Sequence, residues 1–169
     1  LAEEAGRTIV EILKKDVRPR DIINEKSIDN AIRVLSATGG STNCVLHLAA
    51  LVQEMELDID ILGRIDELSS NTPHLAPMTP SGTFTVPELN EAGGIPALMQ
   101  ELRSLLNLDV MTVTGKTLGE NIAKAEVLDS RIIRPMDNPF HAQGGVAVLY
   151  GNLAPHGAVV KQSAVSEGM

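Results

Sequence analysis

Apolar positions recur at helical spacing along the first 126 residues, and after that in short runs broken by proline and glycine. Ala5, Ile9, Ile12 and Leu13 follow an i, i+4, i+7, i+8 pattern. Lys14 and Lys15 come next, where the helix dipole favours cations, so an amphipathic helix is predicted. After an extended "VRPRDII", Ser27 is expected to cap a second helix that carries Ile28, Ala31, Ile32 and Leu35 and stops at Gly39. From Thr42 to about Glu56 the chain is apolar on almost every face, through Val45, Leu46, Leu48, Leu51, Val52 and Met55. That pattern predicts a central helix buried on several sides.

Acidic "EMELDIDILGRIDEL" predicts a short helix near residues 60–69. In "NTPHLAPMTPSGTF" three prolines within eight residues forbid a regular helix, so a loop with at most one short strand is expected. "TVPELNEAGGIPALMQELRSLLNL" reads as a helix stopped at Gly93-Gly94 and another with Pro96 in its first turn. "DVMTVTG" predicts a short strand and "KTLGENIAKAEV" a last short helix. From residue 127 the β-branched runs "VLDSRIIRP", "GGVAVLYGNLAP" and "GAVVKQSAV" predict strands. A domain boundary is therefore placed between 1–126 and 127–169, with "RPMDNPFHAQGG" as the crossing segment. Two or three strands make no independent core. The chain also starts with Leu1 inside a predicted helix and stops at Met169 just after a strand-like run, so a piece of a longer protein is expected.

Composition narrows the class. Two Phe, one Tyr and no Trp leave the cores to Leu, Ile, Val, Met and Ala. A net charge of −8 with scattered basic residues argues against a nucleic-acid or anionic membrane surface. No run approaches the roughly 18 to 20 apolar residues of a membrane span, and no signal sequence opens the chain. The single cysteine, Cys44, excludes an internal disulfide. The expectation is a soluble, cytoplasmic protein.

Motifs for common chemistries fail on specific positions. The GKT at 115–117 lacks the glycine that a phosphate loop needs at 110, which is Val110, so a helix-entry turn is expected. "GGSTN" misses the serine-hydrolase elbow because Asn43 stands at the second glycine position. Cys44 and His47 share a helix face but lack further ligands nearby, so a core cysteine beside a hydrogen-bonded histidine is expected. Asp58 and Asp60 lack the glycine and distal glutamate of a calcium loop and read as a solvated acidic edge. "GGSTN" itself leaves two readings open. Its glycines and a capping Ser41 or Thr42 could present free helix N–H groups to a carboxylate or phosphate, or could form only a tight corner between helices.

Five stretches in order, "GGSTNCVLHLAAL", "EAGGIPALMQEL", "TVTGKTLGENIA", "IIRPMDNP" and "GGVAVLYGNLAPHGAVVKQSAV", resemble the dihydroxy-acid dehydratase and 6-phosphogluconate dehydratase family. "TGKTLGENIA" and "IIRPMDNP" look more like its dihydroxy-acid branch. The resemblance implies dehydration of a 2,3-dihydroxy carboxylic acid, of the 2,3-dihydroxyisovalerate type, to a 2-keto acid in valine, leucine and isoleucine synthesis. It also implies an iron–sulfur cluster and Mg²⁺ in a homodimeric enzyme. A Lewis acid takes the hydroxide from C3 while a base removes the C2 proton. The family's metal ligands precede this stretch and its serine base lies beyond Met169, so no catalytic or metal-binding residue is expected here, and the segment alone is expected to be inactive.

The implied fold is α/β. Residues 1–126 would be the later part of an α/β/α amino-terminal domain, and 127–169 the first strands of a swivelling β-barrel-like carboxy-terminal domain. Gly40, Ser41, Thr42 and Asn43 would line the substrate pocket near the substrate carboxylate, and "GNLAP" at 151–155 would be a strand-connecting turn. A sugar-acid dehydratase acting on 6-phosphogluconate, gluconate or another aldonate is the alternative within the family. A non-catalytic binding or scaffold domain is the alternative outside it.

Overall fold

The computed structural model describes residues 2–165. Helix α1 (Ala2–Lys14) is amphipathic as expected, yet none of its residues is buried. The predicted extended link after it contains a single-turn helix, α2 (Pro19–Ile22), which Pro19 starts because its fixed φ suits the first helical position. Helix α3 (Glu25–Thr38) is capped one turn earlier than expected. The Asn24 side chain accepts from the Ser27 N–H, and the Asn24 N–H donates to Ser27 Oγ, so Ser27 is the third residue of a reciprocal box and not the cap. The helix ends at left-handed Gly39 (φ 54°, ψ 45°), as the sequence predicts.

Helix α4 (Asn43–Glu54) buries only Val45, Leu48 and Val52, while Leu46 stays 69% exposed. It is therefore peripheral, and the expected central position belongs to α3. Helix α5 (Ile61–Ser70) begins where predicted, with Asp60 accepting from the Gly63 N–H, so this residue of the acidic edge is a cap. Helices α6 (Val86–Glu91) and α7 (Gly94–Glu101) flank Gly93, and Thr117 caps α8 (Leu118–Ile122). Short 3₁₀ turns occupy Arg103–Leu105 and Gln162–Ala164.

Two of the expected strands are absent. "DVMTVTG" makes only an isolated bridge between Met111 and Thr117. "VLDSRIIRP" is a turn, because the Asp129 carboxylate accepts from the Arg131 N–H and side chain at short range and curls the chain. The strands that form among the described residues are β1 (Ala147–Gly151) and β2 (Ala154–Val160), antiparallel, with Asn152 and Leu153 of "GNLAP" as their connecting turn.

Two cores meet at α3. One gathers Leu75, Leu89, Leu98, Leu102, Leu118, Ile122 and Ile133 from α6, α7, α8 and the loops around them. The other gathers Ile28, Ile32, Val45, Leu48, Ile65 and Leu68 with Val146 and Val148 of the hairpin region. The carboxy-terminal hairpin thus shares a core with α3, α4 and α5. This is a helix-rich α/β arrangement ending in a two-stranded antiparallel sheet.

Candidate functional site

The corner at residues 39–43 is built largely by backbone bonds, with Ser41 and Asn43 on the outside. Gly40 N–H donates to Leu35 O at 3.0 Å, closing α3, and the chain turns at once into α4. The first N–H groups of α4 are engaged within the corner: Asn43 N–H donates to Ser41 Oγ at 3.2 Å, Cys44 N–H to Ser41 O at 3.0 Å and Val45 N–H to Thr42 O at 3.1 Å. Thr42 makes no side-chain cap, so the expected capping is done by Ser41 alone. Ser41 and Asn43 are exposed and Thr42 is half-buried.

Two cavities flank this corner. One, of about 670 Å³, is an apolar groove lined by Gly40, Cys44, His47, Met99, Val110 and Leu118 among others. Of the four residues singled out from the sequence, Gly40 is the one in its wall. Cys44 and His47 face this groove as exposed residues, which corrects the expected core cysteine with its bonded histidine. The other cavity, of about 520 Å³, is polar and lies against His141, Gln143, Gly145, Gln162 and Ser163. Gly145 packs so closely on the corner that a Cβ there would stand 2.4 Å from Gly39 Cα.

Behind the polar cavity sits His74, which the sequence placed only in a loop. It is 2% exposed, and neither ring nitrogen has a hydrogen-bond partner. Its backbone is locked by His74 N–H donating to His141 O and Phe140 N–H donating to His74 O. Burial, and then the neighbouring His141 and Lys161, push its pKa down to about 4, while the nearby Thr38 backbone, which makes no hydrogen bond to the ring, acts in the other direction. The ring is thus neutral at pH 7. No pattern of spacing signals this; only the pairing of two distant loops buries the side chain.

Other charged pairs lie away from the corner. Arg64 grips Asp29 with two short bonds, Nε to Oδ1 at 2.8 Å and Nη2 to Oδ2 at 2.6 Å, pinning α5 to α3. Among the described residues no group of three or more His, Cys, Asp or Glu could hold a metal ion. Cys44 and His47, exposed and without a third donor, do not fit an iron–sulfur cluster or a magnesium site, so no step is derived through either. No helix among the described residues is long and apolar enough to cross a membrane.

These features define a segment of an α/β protein with a glycine corner at the junction of its helical part and its hairpin. The family model for the dihydroxy-acid/6-phosphogluconate dehydratase N-terminal domain matches residues 1–121, and that for the C-terminal domain matches residues 131–169. Dihydroxy-acid dehydratase of Syntrophobacter fumaroxidans is 50% identical over 171 residues, covering 100% of this chain and 30% of its own. The same enzyme of Acetivibrio thermocellus is 52% identical over 173 residues, covering 100% of this chain and 31% of its own. That of Oleidesulfovibrio alaskensis is 49% identical over 173 residues, with the same coverage. The chain belongs to the dihydroxy-acid/6-phosphogluconate dehydratase family and spans about 30% of the length of these relatives.

Proposed function

We propose that the protein to which these residues belong dehydrates 2,3-dihydroxy carboxylic acids of the 2,3-dihydroxyisovalerate type to 2-keto acids, in valine, leucine and isoleucine biosynthesis. The observation that carries this reading is identity of about half the residues, across the full chain, to relatives named dihydroxy-acid dehydratase. The reaction is chemically balanced without a co-substrate. The C2 proton and the C3 hydroxide leave as water, and the enol formed takes up a proton at C3 to give the ketone at C2.

In this reading Gly40, Ser41, Thr42 and Asn43 lie beside the substrate, and the outward hydroxyls and amide of the corner serve as its donors, because the first N–H groups of α4 are already engaged. The iron–sulfur cluster and Mg²⁺ belong to parts of the protein outside these 169 residues, so the segment alone is inactive. The protein works in the cytoplasm as a homodimer on a small-molecule substrate, with neither nucleic acid nor a membrane as partner. Residues 1–126 and 127–169 fall to its two domains.

The test is a substrate panel on the purified full-length protein under anaerobic conditions. The branched five-carbon dihydroxy acid is expected to give keto acid faster than gluconate or 6-phosphogluconate. Preference for the sugar acids would move the protein to the other branch of its family. No keto acid from any of them, with cofactors intact, would sink the enzymatic reading.

A further inference from the structure

We infer that the polar cavity between the 141–145 segment and the turn at Gln162–Ala164 binds a small oxyanion, a carboxylate or a phosphate, through Gln143, Gln162 and Ser163, with His74 behind them. About 520 Å³ of space opens there, and its lining contains no Asp or Glu although the chain carries a net charge of −8. The side chains of His141, Gln143 and Gln162 are exposed and make no hydrogen bond among the described residues, so the amide N–H donors are unused. The Ser163 hydroxyl stands 3.4 Å from Ser81 Oγ and 3.5 Å from Gly145 O, lengths that hold it weakly and let its O–H turn outward.

His74 supplies a second, separate sign of a ligand. Its imidazole is 2% exposed with both nitrogens unpartnered, a state that folded chains seldom leave without a water, an ion or a bound group. Nε2 turns to the cavity side, since a Cβ built on Gly39 would stand 2.9 Å from it and 2.8 Å from Ser163 Oγ. Ser163 is therefore the link between the buried ring and the open space. The walls are fixed before any ligand arrives. Gly144 N–H donates to Ser69 O at 2.9 Å and Gly145 N–H to Ser36 O at 2.8 Å, and a Cβ at Gly144 would stand 2.4 Å from Ser69 Oγ. The charge has the matching sign: Lys161 lies near enough to His74 to disfavour its protonation, and its ammonium forms no ion pair among the described residues. Amides, a hydroxyl and a nearby cation, with no carboxylate among the lining residues, select a ligand whose charged oxygens accept several hydrogen bonds.

Carbethoxylation of histidines by diethyl pyrocarbonate, mapped by mass spectrometry on the full-length protein, tests the proposal. His141 is exposed in the cavity wall, and exposed His156 on β2 serves as the internal reference. Acetate or inorganic phosphate is expected to slow modification of His141 about fivefold relative to His156, whereas chloride at equal ionic strength leaves it unchanged. Stronger protection by acetate identifies a carboxylate site, and stronger protection by phosphate a phosphate site. Ser163→Ala with Gln162→Leu is expected to abolish the protection, while without anion His141 of the variant reacts at the wild-type rate. An equal effect of chloride, protection by neither oxyanion, full protection retained in the variant, or a His141 already unreactive without anion would each overturn the proposal. The comparison of oxyanions with chloride on the wild type decides the matter whatever the variant's stability. The readout needs no catalysis, so its failure is separate from failure of the dehydratase reading.

Discussion

The imidazoles of His74 and His141 lie stacked, with ring centroids 5.5 Å apart and planes inclined by 14°. The inner ring has both nitrogens buried without partners, while the outer ring faces the polar cavity. Protonating His74 would place a charge where nothing solvates it, beside a second imidazole and Lys161. Its folded-state pKa of about 4 lies below the unfolded 6.5. Between those values the unfolded chain binds more protons, so stability is full above pH 6.5, falls as the pH drops towards 4, and levels off below it. The loss amounts to about 3 kcal/mol. Denaturant melts of the wild type and His74→Phe across this window are the check. The variant is expected to lose this step and to be at least as stable at pH 7, because two unpaired buried nitrogens are removed. A step of unchanged size in the variant would assign it to another group.

Asn30, 4% exposed on α3, donates through Nδ2 to Asn107 O at 2.9 Å and accepts from Asn107 N–H at 2.8 Å. One side chain thereby satisfies both backbone groups of a residue just past the 3₁₀ turn Arg103–Leu105. Asn30→Ala strands these groups and is expected to lower stability by about 2 to 3 kcal/mol, read as a reduced urea midpoint with an unchanged slope.

Gly145 and Gly6 should respond to alanine with opposite signs. A Cβ at Gly145 meets Gly39 Cα at 2.4 Å, backbone against backbone, whereas at Gly6, within α1, nothing lies within 4 Å. Gly145→Ala is expected to cost about 2 kcal/mol or more by forced separation of the two segments. Gly6→Ala should raise helix stability by up to about 1 kcal/mol. Paired thermal melts decide both.

Ser41→Ala with Thr42→Ala separates a pocket-lining corner from a merely structural one. Thr42 makes no cap and Ser41 accepts a single exposed bond, so the double variant should change stability by no more than about 0.5 kcal/mol. In the full-length enzyme kcat/KM is expected to fall about tenfold, which corresponds to about 1.4 kcal/mol of transition-state binding. Unchanged kinetics would return the corner to structure alone.

Local signals were readable where one residue decides the outcome. Gly39 ends α3 because it tolerates a left-handed backbone, and Pro19 starts α2 because its φ is fixed, although "VRPRDII" reads as extended chain. The sequence offers Ser27 as a cap, but Asn24, one turn upstream, has the same chemistry and the better position. Helix α4 looks central in the sequence because its apolar residues surround it. Composition alone does not tell whether a protein core or an open groove lies on each side, and Leu46 and Leu51 face outward. Of the candidate site, the corner was visible in "GGSTN", but the engagement of its N–H groups depends on turn geometry. His74 was invisible, since its burial arises from pairing with a segment 67 positions away, His141 being residue 141 and His74 residue 74.

The last turn of α3 also sets what can move. Ala37 O accepts from both Leu75 N–H and Ala76 N–H, while Ser36 O accepts from Gly145 N–H. Carbonyls that a helix end commonly leaves to water are instead tethers to two distant stretches of chain. The corner, the His74 segment and the entry to the hairpin are therefore riveted to one point and travel as a single body. Any bending among the described residues has to take place elsewhere along the chain.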